Sequence, residues 1–324
     1  MTMVAAFTAL LGADLQAAPG QPQPALEKTP VCGGPELQFV QLAPDLWWIP
    51  AGPGGANAAN QGHVSNLLVA VQAQRIWLLG SGPAPAFGQT LACRVRQHWG
   101  RPVTDVISPW PHPEVVLGVA GMGAVRHWAH AEVATAMKQR CPFCVARLRE
   151  QLGQPTGLHN GLDSEAVRLP QRLLHGPQGR LGPWRWWQLS RGPGAPVTVW
   201  QWGDAAVRSA PGLLWADGAP DARDADVRAL ARATYALAAL AGSPAAPVLW
   251  LGEQGPPSNE LLTRHQRYWD DLLREVQALQ LRGALETAAP VAPALLPAND
   301  ARHALNWQRA WRQLEADSFQ RSLR

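Results

Sequence analysis

The stretch Ser108-Pro-Trp-Pro-His-Pro-Glu-Val-Val-Leu-Gly118 decides how the chain is read. It follows residues 103–108, a short apolar run that reads as a buried strand. It offers two side chains able to hold a metal, His112 and Glu114. A zinc site needs three or four converging N, O or S donors, so this loop supplies at most part of one. Metal chemistry therefore depends on donors elsewhere in the chain.

Upstream, residues 37–42 and 46–49 predict two strands joined by the Ala43-Pro-Asp45 turn. Residues 65–71 and 75–79 predict two more, separated by the polar turn Gln72-Ala-Gln74. The turn Gly80-Ser-Gly-Pro83 then opens a helix over 84–99. Downstream a helix is expected over 132–152, interrupted at Cys141-Pro142 because proline removes a helical donor and clashes with the preceding turn. Strands follow at 184–189, 197–202 and 213–216, then a helix over 224–241 with Asp221 and Asp224 as candidate caps. A strand at 248–251 precedes a helix that runs from a Ser258 cap to Leu281. The last helix, 300–319, has an apolar face at Leu305, Trp307, Trp311 and Leu314. Strand-rich halves, each followed by helices, imply an α/β (α+β) fold: a four-layer αββα sandwich, two sheets face to face with helices outside. No linker interrupts it, so residues 37–324 are expected to form one domain.

The 324 residues are 47% apolar and 16% charged, a globular balance, with net charge +4 and pI about 9.2. Only Lys28 and Lys138 are lysines, and the arginines form no basic run, so no nucleic-acid partner is expected. With its many Ala, Pro and Gly and its 16 Trp, the basicity reads as coding bias. No stretch approaches the roughly 20 apolar residues that span a bilayer. Residues 1–36 read as a signal-peptide-like segment and disordered spacer: an apolar run over 4–11, then Ala17-Ala18, then a Pro/Gln-rich stretch. The segment lacks a positive start, since Lys28 is its first basic residue, and Asp14 sits near its end. A plain tail or a misassigned start codon is the bland alternative. Export to the periplasm is the expectation and a cytoplasmic location the alternative. The four cysteines suit export, with Cys32–Cys93 and Cys141–Cys144 the guessed pairing; spacing alone does not fix connectivity.

Several further motifs occur in order. They are Gly62-His-Val-Ser-Asn-Leu-Leu-Val69, Leu78-Leu-Gly-Ser-Gly-Pro83, the loop 106–118, Ala129-His-Ala131, Cys141-Pro-Phe-Cys144 and His303-Ala-Leu-Asn-Trp-Gln-Arg-Ala-Trp-Arg-Gln-Leu-Glu315. Together they resemble the metallo-β-lactamase superfamily over residues 37–322. More narrowly, they resemble the periplasmic zinc metallohydrolase-like proteins encoded with bacterial quinoprotein systems.

The resemblance implies a zinc site that lowers the pKa of bound water to roughly 7, and it assigns each ligand a position. In the signature T-H-x-H-x-D-H-V-L-G, Trp110 stands for the first His, Glu114 for the Asp and Val115 for the last His; only His112 is kept. Gly80 stands where the D-[ST]-G element has its Asp. The H-T-x-G-D segment corresponds to Arg191-Gly-Pro-Gly-Ala195, so its His becomes Arg191 and its Asp Ala195. The bridging Asp falls within Leu214-Trp-Ala-Asp-Gly-Ala219, giving Asp217, and the P-G-H-G-P loop within Leu251-Gly-Glu-Gln-Gly-Pro256, giving Glu253 or Gln254. An arginine is always protonated and repels a cation. The resemblance therefore implies a degenerate metal-site pocket of His112, Glu114, Arg191, Asp217 and Glu253, filled by Trp110 and an Arg–carboxylate cluster in which Arg191 pairs with Glu114, Asp217 or Glu253. It implies no catalytic residue and no cofactor. The protein would be a pseudoenzyme that binds a small molecule or a protein partner in a periplasmic oxidative pathway.

Two other functions are weighed beside it. One is an active hydrolase with a rebuilt mononuclear site, His112 and Glu114 with Asp217 and Glu253 holding one weakly bound divalent metal harder than zinc. The other is a thiol redox protein through Cys141 and Cys144, set against a local disulfide or a reduced pair. His127 and His130 are expected at a helix start, His130 packing as a supporting residue. Trp184-Arg-Trp-Trp187 could be a stacking platform, but alternation in a strand more simply gives one buried and one solvated face. No G-x-S-x-G elbow, P-loop or dinucleotide fingerprint occurs, and Ser81 reads as turn rather than nucleophile.

Overall fold

The chain enters a sheet through β1 (Val40–Ala43), turns at Asp45 with φ 61°, and returns as β2 (Leu46–Ile49). The computed structural model describes residues 31–153, 159–241, 247–287 and 300–322; the signal-like segment through residue 30 lies outside the described residues. β3 (Leu67–Gln72) and β4 (Arg75–Leu79) extend the antiparallel meander. From β4 the connections become crossovers. Helix α1 (Pro85–Trp99) leads to β5 (Asp105–Ile107); α2 (Pro113–Val116) and a 3-10 turn (Leu117–Gly121) lead to β6 (Arg126–His130). Helix α3 (Ala131–Leu152) leads on to β7 (Arg172–Leu174), and β4 to β7 pair in parallel, as such crossovers require.

A second sheet holds β8 (Gln178–Leu181), β9 (Trp184–Ser190), β10 (Pro196–Trp202) and β11 (Val207–Ser209), all antiparallel. Helix α4 (Val227–Ala241) carries the chain to β12 (Leu249–Leu251), which pairs in parallel with β11. Helices α5 (Leu261–Leu281) and α6 (Ala301–Ser322) follow. Among the described residues the fold thus has two sheets, of seven and five strands, and six α-helices.

Strand alternation builds the layers. On β3, Leu67, Val69 and Val71 join the large core under the helices, while Leu68 and Ala70 face the layer between the sheets. On β10 the division is the same: Val197 and Val199 against Trp200 and Trp202. The inter-sheet layer is mainly tryptophan, with Trp77, Trp184, Trp186, Trp200 and Trp202 each at most 8% exposed. Trp184 meets Trp202 edge-on at 5.0 Å, a preferred aromatic geometry. On β9, Trp187 turns away from this layer and lies under Arg208, 5.6 Å from its guanidinium. These tryptophans are core.

One buried carboxylate ties the parallel strands together. Asp105 on β5 accepts from Arg75 on β4 (2.9 and 3.2 Å) and from Arg126 (2.7 and 2.8 Å) and Trp128 (2.9 Å) on β6. Burial would raise its pKa, but the hydrogen bonds from Arg126, Trp128 and Thr104 and the charge of Arg75 hold it below the ordinary carboxylate value.

Several local expectations are corrected. Helix α3 passes through Pro142 without a break; Pro142 is solvent-exposed, so the carbonyl it deprives of a donor can turn to water. Cys141 and Cys144 are free thiols, not a disulfide, because residues three apart on a continuous helix hold their Cβ atoms about 5–6 Å apart, beyond the roughly 3.5–4.5 Å that a disulfide spans. The disulfide is Cys32–Cys93, which ties the start of the described chain to α1. His127 lies on β6 rather than at a helix start, whereas His130 ends β6 and stands at the start of α3, as expected. His127 meets Ser108 Oγ at 2.7 Å, while His130 Nδ1 accepts from Glu132 N and caps α3. Helix α4 is capped by Asp226, whose carboxylate accepts from Ala229 N at 2.6 Å, rather than by Asp221 or Asp224. Residues 213–216 form a buried turn instead of a strand, since a short apolar run does not distinguish the two.

Candidate functional site

The loop after β5 delivers Trp110 and His112 into the interior. Pro113 occupies the first turn of α2, where its missing N–H costs nothing, and His112 precedes it in extended conformation. The rings of Trp110 and His112 stack at 4.2 Å with 9° between planes. Trp110 Nε1 donates to Glu253 Oε2 at 3.1 Å, and the backbone N of Gly212 donates to the same oxygen at 2.9 Å. Ser65 Oγ donates to the other oxygen, Oε1. Gly212 has φ 73°, and a Cβ there would stand 2.9 Å from the Trp110 ring, so glycine suits this approach. Glu253 is 3% exposed; burial raises its pKa, and the three donors and nearby His112 do not offset that.

Arg191 sits where β9 leaves its sheet, its N–H donating to Ala195 O across the turn. Its guanidinium carbon lies 4.6 Å from the Trp110 ring and 6.0 Å from that of Trp215, a cation–π arrangement. Nη2 donates to the backbone carbonyl of Asp221 at 2.6 Å, and buried Nε has no hydrogen-bond partner. Burial pulls its pKa down to about 10 against the charges of Asp221 and Glu253. The expected pairing with Glu114, Asp217 or Glu253 is corrected: no carboxylate of the described residues lies within ion-pair distance. The flat guanidinium prefers the indole faces, and a carbonyl takes one edge.

His112 Nδ1 instead lies 2.5 Å from Glu114 Oε2, an ion contact off the hydrogen-bond line. Burial alone would lower the imidazole pKa, but the charges of Glu114, Glu253 and Asp221 outweigh it and raise the value. Conversely, burial would raise Glu114, and His112 holds it low.

Asp217 does not join the cluster. Its side chain reaches the wall of a cavity, but the residue is exposed, and its carbonyl accepts from Arg302 Nη2. The aspartate that acts on both Arg191 and His112 is Asp221 rather than Asp217, and Arg223 holds it at a pKa of about 2 against the effect of burial. Gln254 turns toward Arg302 Nη1 at 3.2 Å, leaving Glu253 as the member of its loop that points inward. Four of the five sequence-derived positions, His112, Glu114, Arg191 and Glu253, are thus brought together around Trp110. Sequence reasoning missed Ser65, Trp215 and Asp221, although Ser65 lies inside a quoted motif and Asp221 in an acid-rich run assigned to helix capping.

These residues do not fit the zinc centre that the resemblance implies. The guanidinium of Arg191 stands at the position the resemblance assigns to a histidine ligand, and both oxygens of Glu253 are already engaged. Gly80 has φ 81°, a conformation that would strain the Asp that the resemblance places there, and a Cβ would displace the tip of Leu67. Among the described residues no group of three or more His, Cys, Asp or Glu is arranged to hold a metal ion.

Two cavities adjoin the cluster, and Trp110 and His112 belong to the walls of both. One of about 870 Å³ is bounded by Ser65, Glu114, Trp215, Asp221 and Glu253. The other, of about 420 Å³, is bounded by Arg191, Ala195 and one face of α3, including Cys144.

Among solved structures, a metallo-β-lactamase of Pseudomonas aeruginosa in its mono-zinc form is similar at a TM-score of 0.56 and 14% identity, covering 72% of this chain and 95% of that one. A metallo-β-lactamase of Erythrobacter litoralis is similar at TM-score 0.55 and 15% identity, covering 73% and 97%. One of Hirschia baltica gives 0.54 and 12%, covering 72% and 97%. No protein-family model and no curated protein sequence matches the chain. The strand order, the two facing sheets and these likenesses agree: the chain has the metallo-β-lactamase fold.

Proposed function

We propose that this protein is not a zinc hydrolase, and that the cavity which holds metal in its structural class serves here as a metal-free binding pocket. The observation that carries the reading is Arg191, fixed against Trp110 at a position the resemblance assigns to a histidine ligand. A permanent cation there opposes a second one. The motif resemblance to quinoprotein-associated proteins supports a small molecule or protein partner in a periplasmic oxidative pathway as the object of binding. The disulfide is consistent with export. The test is metal content together with His112→Ala: substoichiometric metal in the purified protein supports the reading, and a hydrolytic activity lost with both His112 and metal overturns it.

One observation favours a second reading, a thiol role. Cys144 borders the 420 Å³ cavity, and the neighbouring Cys141 thiol lowers its pKa while Cys141 itself is raised. Rapid alkylation of Cys144 at neutral pH in the folded protein supports that role, and an inert thiol dismisses it.

A further inference from the structure

The smaller cavity has an unbalanced charge. Arg140, Arg147, Arg191, Arg223 and Arg309 border it, and the one acidic residue in its wall is Asp224. Arg223 is neutralised by Asp221 at 2.5 Å, while Arg140, Arg147 and Arg309 make no ion pair among the described residues. On α3 the residues facing the cavity recur at helical spacing: Arg140, Cys144, Arg147, Leu148 and Gln151. Arg140 also reaches the opposite turn, its Nη2 lying 3.2 Å from where a Cβ of Gly194 would stand.

Arg191 adds a buried cation to this wall. It is 4% exposed, borders the cavity, and its buried Nε has no hydrogen-bond partner. Its burial is partly offset by the charges of Asp221, Glu253 and Asp224, and the like charge of Arg140 adds to the depression of its pKa. The apolar part of the wall is Pro113, Leu148, Pro196 and the 79% exposed side chain of Phe143, beside the polar His112 and Gln151. A volume of about 420 Å³ suits a small organic molecule.

We propose that this cavity binds a small organic anion, a carboxylate or phosphate ester, its charged head held by Arg140, Arg147, Arg191 and Arg309 and its apolar body resting on Phe143, Leu148 and the prolines. The inference rests on the metal-free reading above and names the ligand class for that pocket. Planar arginine forks match the two or three oxygens of such a head.

The test is calorimetric titration of the full, disulfide-intact protein with benzoate, phenyl phosphate, inorganic phosphate and neutral benzamide, with zinc content measured on the same sample. Benzoate or phenyl phosphate should bind at least about tenfold more tightly than benzamide, and the tighter of the two names the head group. Arg140→Gln and Arg147→Gln should each weaken that binding about tenfold while leaving the urea midpoint within error. Equal binding of benzamide, or unchanged binding by both variants, overturns the proposal. Inorganic phosphate binding as tightly as phenyl phosphate overturns the role of the apolar wall. The zinc measurement separates the two readings: stoichiometric zinc removes the metal-free pocket whatever the anions do, whereas indifference to anions in a zinc-free protein removes only this inference.

Discussion

The guanidinium of Arg191 lies 4.6 Å from the indole of Trp110, and the same indole stacks on His112 at 4.2 Å and donates to Glu253. Trp110 therefore holds three ionisable side chains of the pocket in place. Trp110→Ala would leave a buried carboxylate short of a donor, a buried cation without its ring, and a void. The expected loss is about 3–5 kcal/mol in urea unfolding. Trp110→Phe keeps an aromatic face but removes the N–H and part of the indole's volume, so a smaller loss of about 1–3 kcal/mol is expected. Equal losses for the two variants would show that the ring faces toward Arg191 and His112 contribute nothing and that the Glu253 contact carries the whole effect.

Acid sensitivity follows from three buried histidines. Burial lowers His63 and His265 to about 4 and His127 to about 3, from 6.5 when unfolded. Between pH 6.5 and 4 the unfolded chain takes up protons that the native one refuses. Stability therefore falls on acidification by up to about 1.4 kcal/mol per pH unit for each. His112 has the opposite sign: its raised pKa contributes stability that is full below 6.5 and lost as pH rises through the folded value. Glu114 contributes above 4.5 and loses that contribution as pH falls through its depressed value. Urea midpoints should drop steadily from pH 7 to 5, and a flat profile would contradict the assignment.

Asp105 is the charge on which the parallel strands converge. Asp105→Ala leaves Arg75 and Arg126 without their shared carboxylate and should cost about 3–5 kcal/mol. A loss below about 1 kcal/mol in chemical denaturation would mean that the pair behaves as a surface ion pair.

Two of the four cysteines are free. Titration of the unfolded, unreduced protein should find two thiols, and four would contradict the Cys32–Cys93 bond. Because that bond spans 61 residues of sequence, Cys93→Ser should destabilise by about 4 kcal/mol on loop entropy.

What could be read from the sequence tracks how local its cause is. The hairpin of β3 and β4 was legible because apolar side chains bounded by a polar turn need no distant partner. Strand β6, Arg126-His-Trp-Ala-His130, was not, because its polar residues are strand-like only beside Asp105 and Ser108. Helix α3 was read with a break that its exposed proline does not cause. In the pocket, Arg191 and Glu253 could be found because each lies in a short segment with a recognisable pattern. Asp217 could not be separated from Asp221, since a turn with Gly218 at φ 71° lies between them and motif spacing does not fix a turn's register. The bond from Ser65 to Glu253 spans 188 residues, a distance at which local pattern carries no signal.

The most direct measurement is the metal content of the purified protein after equilibration with excess zinc and removal of the unbound ion. With Arg191 against Trp110 and Glu253 already holding three donors, well under one equivalent of zinc should remain, and His112→Ala should leave that figure unchanged. One or more equivalents of zinc or iron, lost in His112→Ala, would contradict the metal-free pocket.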